Sequence, residues 1–91
     1  MAESILDHSI SRHAAVEMER RGLDQEVVRR VLVAPEQREA VRPGRDVLQS
    51  RIELDGKVYV VRVFVDVDRS PAEVVTAYRT SKVEKYWRTE P

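Results

Sequence analysis

The pair Asp55-Gly56 constrains this chain more than any other two residues in it. Aspartate followed by glycine is the preferred filling of a two-residue type I′ loop, because both positions there need a positive φ. The flanking residues, Leu48 to Leu54 and Lys57 to Val65, alternate as strands do. With a two-residue turn the register leaves no freedom: Leu54 pairs with Lys57, Ile52 with Tyr59, Ser50 with Val61 and Leu48 with Val63. With Val65 beyond them, these side chains form a largely apolar face that needs a cover. The opposite face then carries Val47, Gln49, Arg51, Val60, Arg62 and Phe64.

The first 35 residues supply the cover. Ile10, Ala14 and Met18 recur every fourth position, which predicts a helix over about Ser9 to Arg21, closed by Gly22 as a left-handed cap. Leu23 and Val28 flank Asp24 as a staple around an N-cap, and Val27, Val28, Val31 and Leu32 form the buried stripe of a second helix that Pro35 ends. Pro35 to Gly44 reads as a polar connector. After the hairpin, a loop from Asp66 to Ala72 leads to a third strand, Glu73 to Arg79. Ser81 with Glu84 then matches a capping box opening a short helix with Val83, Tyr86 and Trp87. The expected class is α+β: a helical hairpin on one face of a three- to four-stranded antiparallel sheet, plus a short C-terminal helix. The order is (β)ααβββα, with the optional first strand near Ile5-Leu6. Ninety-one residues suit a single domain.

Composition narrows the chemistry. Sixteen basic and sixteen acidic side chains balance to zero, which argues against a polycation acting by bulk attraction. Residues 1–40 carry six basic and eight acidic groups and residues 41–88 carry ten and seven, so the β-half is mildly positive. The absence of cysteine excludes disulfides, thiolate metal sites and thiol nucleophiles. No metalloprotease helix, glycine-rich phosphate loop or serine elbow is present, and no cofactor is expected. Asp66 and Asp68 flank one strand end without further ligands at a recognisable spacing, so no metal site is assigned. The start Met1-Ala2-Glu3-Ser4 lacks a basic leader region and the longest apolar run is too short to span a bilayer, so a cytoplasmic location with no membrane contact is expected.

The informative surface is the second face of the hairpin. Arg51 and Arg62 would project there from a half-apolar floor, joined by Thr76 and Tyr78 if Val75 and Ala77 point to the helices. Guanidinium forks match phosphate oxygens and aromatic rings stack on bases, so the face suits a phosphodiester. Periodicity alone favours the plainer account, in which the arginines pair with Glu53 or Asp66 and solubilise the sheet. His13 lies at the edge of the first helix's apolar row with Glu17 one turn on. It is read either as an oriented base or as a helix-boundary residue bonded to backbone. Glu17 and Arg21, four apart, suit a structural ion pair.

Three blocks carry a family resemblance. His13-Ala14, Met18 and Arg21-Gly22-Leu23 resemble the H-A-x-x-R-M-x-x-R-G opening of a family of small bacterial proteins of unknown function. Tyr59 to Val63 and Val75 to Lys82 resemble its later blocks. That family is similar to the RelE/ParE toxin superfamily, whose sheet bears a working cleft opposite its helices. The resemblance implies a toxin-like, metal-independent endoribonuclease of a toxin–antitoxin system, or a non-catalytic module of the same fold that docks on an antitoxin or a topoisomerase. It implies His13, Arg62 and Tyr78 as catalytic residues and Arg51, Arg79 and Lys82 as RNA-binding ones. RNA is the expected substrate, and an antitoxin-like protein or a second copy is the expected cover of the sheet face. Glu17 stands where the pattern usually has arginine, one positive charge fewer.

Overall fold

The computed structural model describes residues 2–89. Its elements run β1 (His8–Ile10), α1 (Arg12–Arg20), α2 (Gln25–Val33), β2 (Gln37–Arg42), β3 (Arg45–Leu54), β4 (Lys57–Asp66), β5 (Ala72–Thr80) and α3 (Val83–Tyr86). Among the described residues the strands form one sheet in the order β1-β5-β4-β3-β2, antiparallel except for the parallel pair β1·β5. The class is α+β as expected, with five strands rather than three or four.

The turn sets the frame. Asp55 and Gly56 have φ of 54° and 79°, and β3 pairs with β4 in the expected register along ten residues. Leu48, Val61, Val63 and Val65 are fully buried on one side. Ala14 and Met18 of α1, and Val28, Val31 and Leu32 of α2, close over them in a single core. Burial of each large side chain contributes about 1.5–3 kcal/mol. Gly22 takes φ 68° between the helices, and the Asp24 carboxylate accepts from the Glu26 N–H at 2.8 Å, so the tight joint is made by the residues expected to make it.

Four local differences have identifiable causes. α1 starts three residues later than expected because Ser11, its N-cap, accepts from the Ala14 N–H at 3.0 Å. That releases Ser9 and Ile10 into β1, and the first strand is there rather than at Ile5-Leu6. Ile5 instead donates its N–H to the Leu32 carbonyl at 2.8 Å, satisfying one orphan acceptor at the end of α2. The connector after Pro35 is the edge strand β2, polar on both faces and therefore without an alternating signal. β5 carries a bulge at Val75, the extra residue opposite Phe64 and Val65, so Val74 rather than Val75 joins Ala77 in the core. The capping box does not form. Thr80 Oγ1 accepts the Lys82 N–H at 3.1 Å, Lys82 is the N-cap of α3, and it makes no side-chain cap bond.

The expected Glu17–Arg21 pair is present at 3.1 Å, with Arg20 on the same carboxylate at 2.8 Å. Arg21 also donates to the Ala77 carbonyl at 2.9 Å, tying the end of α1 to β5 past the reach of β1. No described helix is long and apolar enough to cross a membrane.

At the far end of the sheet Arg45 Nε donates to Asp66 at 2.6 Å and Arg69 approaches the same carboxylate at 3.7 Å. The Arg45 hydrogen bond, against some desolvation, holds the Asp66 carboxyl below its ordinary value near 3.8. A carboxylate with a depressed folded pKa stabilises the fold above its unfolded value and loses that contribution as pH falls through the folded one. Acid unfolding followed by circular dichroism should therefore show stability falling below about pH 4. Asp66→Asn should lower stability at neutral pH and flatten that acid limb.

Candidate functional site

On the sheet face away from the helices, alternation places Gln49 and Arg51 of β3, Val60, Arg62 and Phe64 of β4, and Thr76 and Tyr78 of β5. The bulge keeps Tyr78 opposite Arg62. Arg62 Nη1 donates to the Tyr78 hydroxyl at 2.8 Å and Arg62 Nε to Gln49 Oε1 at 2.8 Å. Three rings surround the guanidinium, with its central carbon 4.7 Å from the centre of Tyr86, 5.3 Å from Phe64 and 5.9 Å from Tyr78. Phe64 stacks on Tyr78 at 6.1 Å, and Tyr78 meets Tyr86 edge-on at 6.3 Å.

All of these partners are neutral. Among the described residues no carboxylate pairs with Arg62, so a half-buried full charge is held by hydrogen bonds and ring quadrupoles alone. The plainer account of the two arginines therefore fails for Arg62, and for Arg51 it holds with a different partner. Arg51 pairs with Glu36 at 3.4 Å, not with Glu53 or Asp66. Burial raises the pKa of Glu36, but the Arg51 backbone N–H and guanidinium outweigh this and leave it lowered.

The chain covers part of this face itself. After β5 it turns back through α3, so that Trp87 lies 4.2 Å from the Arg51 guanidinium and Tyr86 lies over Arg62. Gln49, only 3% exposed, fastens this strap: its amide donates to the Tyr86 carbonyl at 3.0 Å and to Gln37 Oε1 at 2.7 Å. Gln37 in turn donates to the Arg88 carbonyl at 2.7 Å and accepts from the Arg88 N–H at 3.1 Å. Val47 and Val60 are buried on this face, 2% and 0% exposed, outside the helix-facing core.

The site residues expected from sequence separate into groups. Arg62 and Tyr78 are in direct contact, and Arg51 stands on the same face under Trp87. Lys82 is exposed where the chain leaves β5. Arg79 lies on the helical side, pairing with Val61 across the strands and placed 4.9 Å from the Tyr59 ring. His13 is exposed on α1, across the sheet from Arg62, so the two do not form one constellation. Strand alternation decides Arg79, and the packing of α1 on the core side decides His13. The residues missed as site members are Gln37, Gln49, Phe64 and Tyr86. A glutamine among apolar strand residues was the available signal for Gln49, whereas nothing marked Gln37 as lying on a strand.

A family model described as Domain of unknown function (DUF4258) matches residues 10–79. The chain belongs to that family. The match runs from the end of β1 almost to the end of β5, and so takes in Gln49, Arg62 and Tyr78 but not the strap. No curated protein and no solved structure matches the chain.

Gln49→Ala strips Arg62 Nε and the Tyr86 carbonyl of their partners. Loss of a buried, satisfied polar group of this kind costs about 1–3 kcal/mol. Urea unfolding should show that loss. Because Trp87 is the sole tryptophan, its emission should also shift to the red as the strap loosens.

Proposed function

We propose that this DUF4258 domain is a toxin-like, metal-independent endoribonuclease, with the face around Arg62 as its working cleft. The observation that carries the reading is the uncompensated Arg62 guanidinium, fixed in a neutral cage of Gln49, Tyr78, Phe64 and Tyr86. A preorganised cation lacking its own anion favours a phosphodiester, and it favours the doubly charged transition state more. Helices on one face and a cleft on the other is also the arrangement that the resemblance to RelE/ParE toxins implies.

In this reading a 2′-hydroxyl attacks the adjacent phosphorus and the 5′-oxygen leaves. Arg62 stabilises the charge on the pentavalent phosphate. Tyr78 accepts a hydrogen bond from Arg62, which leaves its own O–H free to protonate the departing oxygen. The proton of the attacking hydroxyl passes to solvent. His13, across the sheet, takes no part. Arg51 and Lys82 border the cleft and hold the RNA backbone.

The test is cleavage of RNA, alone and with ribosomes, in the presence of a chelator. Arg62→Ala should lower the rate by about two to three orders of magnitude, the usual effect of losing one preorganised donor. Arg62→Lys should restore only part of it, because an ammonium cannot fork onto two oxygens. Tyr78→Phe should keep the ring cage and lose about 10²–10⁴ in rate. Trp87 emission should change as RNA binds beside the strap.

A second reading, a non-catalytic module of the same fold, is favoured by one specific observation. Among the described residues no imidazole or carboxylate joins the Arg62–Tyr78 pair. The face would then dock an antitoxin-like protein or a second copy. A wild type that arrests growth yet leaves RNA intact, alone and with ribosomes, would overturn the nuclease and select this module.

A further inference from the structure

Charge neutrality hides an uneven arrangement. At the far end of the sheet most arginines are neutralised: Arg45 and Arg69 by Asp66, Asp68 and Glu73, and Arg38 by Asp46, with Arg42 the exception. At the end where β4 begins and β5 finishes, five cations have no carboxylate partner among the described residues: Lys57, Arg62, Arg79, Lys82 and Lys85. The exposed carboxylates there are fewer, namely Glu53, Asp55 and Glu84.

The order of these cations follows a path. Lys57, Tyr59 and Arg79 lie on the helical side, where both cations approach the half-buried Tyr59 ring, Arg79 at 4.9 Å and Lys57 at 5.8 Å. Lys82 marks the corner where the chain passes from β5 to the other face. Lys85 follows beside Tyr86, at 5.3 Å, next to Arg62. Arg79, Lys82 and Lys85 therefore step around the end of β5 at intervals of three residues.

We infer that a single-stranded RNA wraps this end of the sheet, with one base stacked at Tyr59, its flanking phosphates on Lys57 and Arg79, and the strand continuing past Lys82 and Lys85 to Arg62. The inference rests on the nuclease reading and extends its substrate from one phosphodiester to a strand of several nucleotides. Alternation of an aromatic ring with cations matches the alternation of bases and phosphates in an unpaired strand. The path must turn from one side of the sheet to the other across a molecule only 20 Å thick. A single strand can follow such a bend, whereas a duplex, with a persistence length on the order of 50 nm, cannot.

The experiment titrates the full chain with a fluorescent oligouridine of about twelve nucleotides, within the usual span of single-strand sites, at several salt concentrations. Tyr59→Leu should weaken binding by about five- to hundredfold, as loss of one stacked base does, and Tyr59→Phe should retain it. Arg79→Ala and Lys57→Ala should each reduce the slope of log K against log salt by about 0.7, the value for one phosphate of a single strand. Both alanine variants alter side chains with no ion pair to lose, so they carry the test if Tyr59→Leu fails to fold. If they leave affinity and slope unchanged while Arg62→Ala still weakens binding, the wrapped path is wrong and the cleft reading stands. If the wild type does not bind the oligouridine at all, both fall together.

Discussion

The two-residue turn at Asp55-Gly56 is the constraint on which the rest depends, because strand alternation makes register an all-or-none choice. A slip by one residue would exchange the faces of β4. Arg62 would then enter the space that Val61 and Val63 fill completely, beneath both helices. A guanidinium there would have neither water nor a counter-charge, a cost of several kcal/mol. The correct register is therefore enforced twice, by the backbone of the turn and by the charge it would otherwise bury. The same register sets Gln49 opposite Arg62 and so builds the cage one strand away.

The second face shows how a small sheet can be closed on both sides with two helices on only one. Val47 and Val60 are as buried as core residues, yet what lies over their face is a strap of one helical turn and a few extended residues. Apolar contact over so short a segment contributes little. Its position is fixed by directional bonds, running from Arg62 through Gln49 to the Tyr86 carbonyl, and through Gln37 to the backbone of Arg88. The Arg51–Trp87 contact adds about 0.5–1 kcal/mol at an exposed site. A cover held this way is specific in place, because directional bonds tolerate little displacement.

Much of this was legible in the sequence, and what was not has physical causes. The helical hairpin, its glycine joint, the β3–β4 register and the position of Arg62 beside Tyr78 all follow from local chemistry: caps, a turn and strict alternation. β2 was illegible because an edge strand with polar side chains on both faces has no hydrophobic period. β1 was hidden because three residues of parallel pairing leave almost no pattern, and Ile10 fits a helical row equally well. The bulge at Val75 cannot be read from composition, since Val74 and Val75 are the same residue and only the strand opposite selects one of them. His13 shows the limit of motif reading. A residue can match a family pattern in sequence and still stand on the wrong side of a sheet from the residues it was grouped with.

The bond from Arg21 to the Ala77 carbonyl has a consequence for the molecule in a crowded solution. A sheet that ends in bare backbone invites another strand to add on, and repetition of that event gives insoluble fibres. β1 shields only the first part of β5, and beyond it Arg21 occupies the Ala77 carbonyl that an incoming strand would need. At the opposite border β2 sets the charged Glu39 and Arg42 on either side of its exposed Ala40 and Val41. The two borders are thus defended by different means, a plug on one and polarity on the other. A chain with zero net charge cannot rely on mutual repulsion to stay apart, so it is at these borders that its solubility is decided.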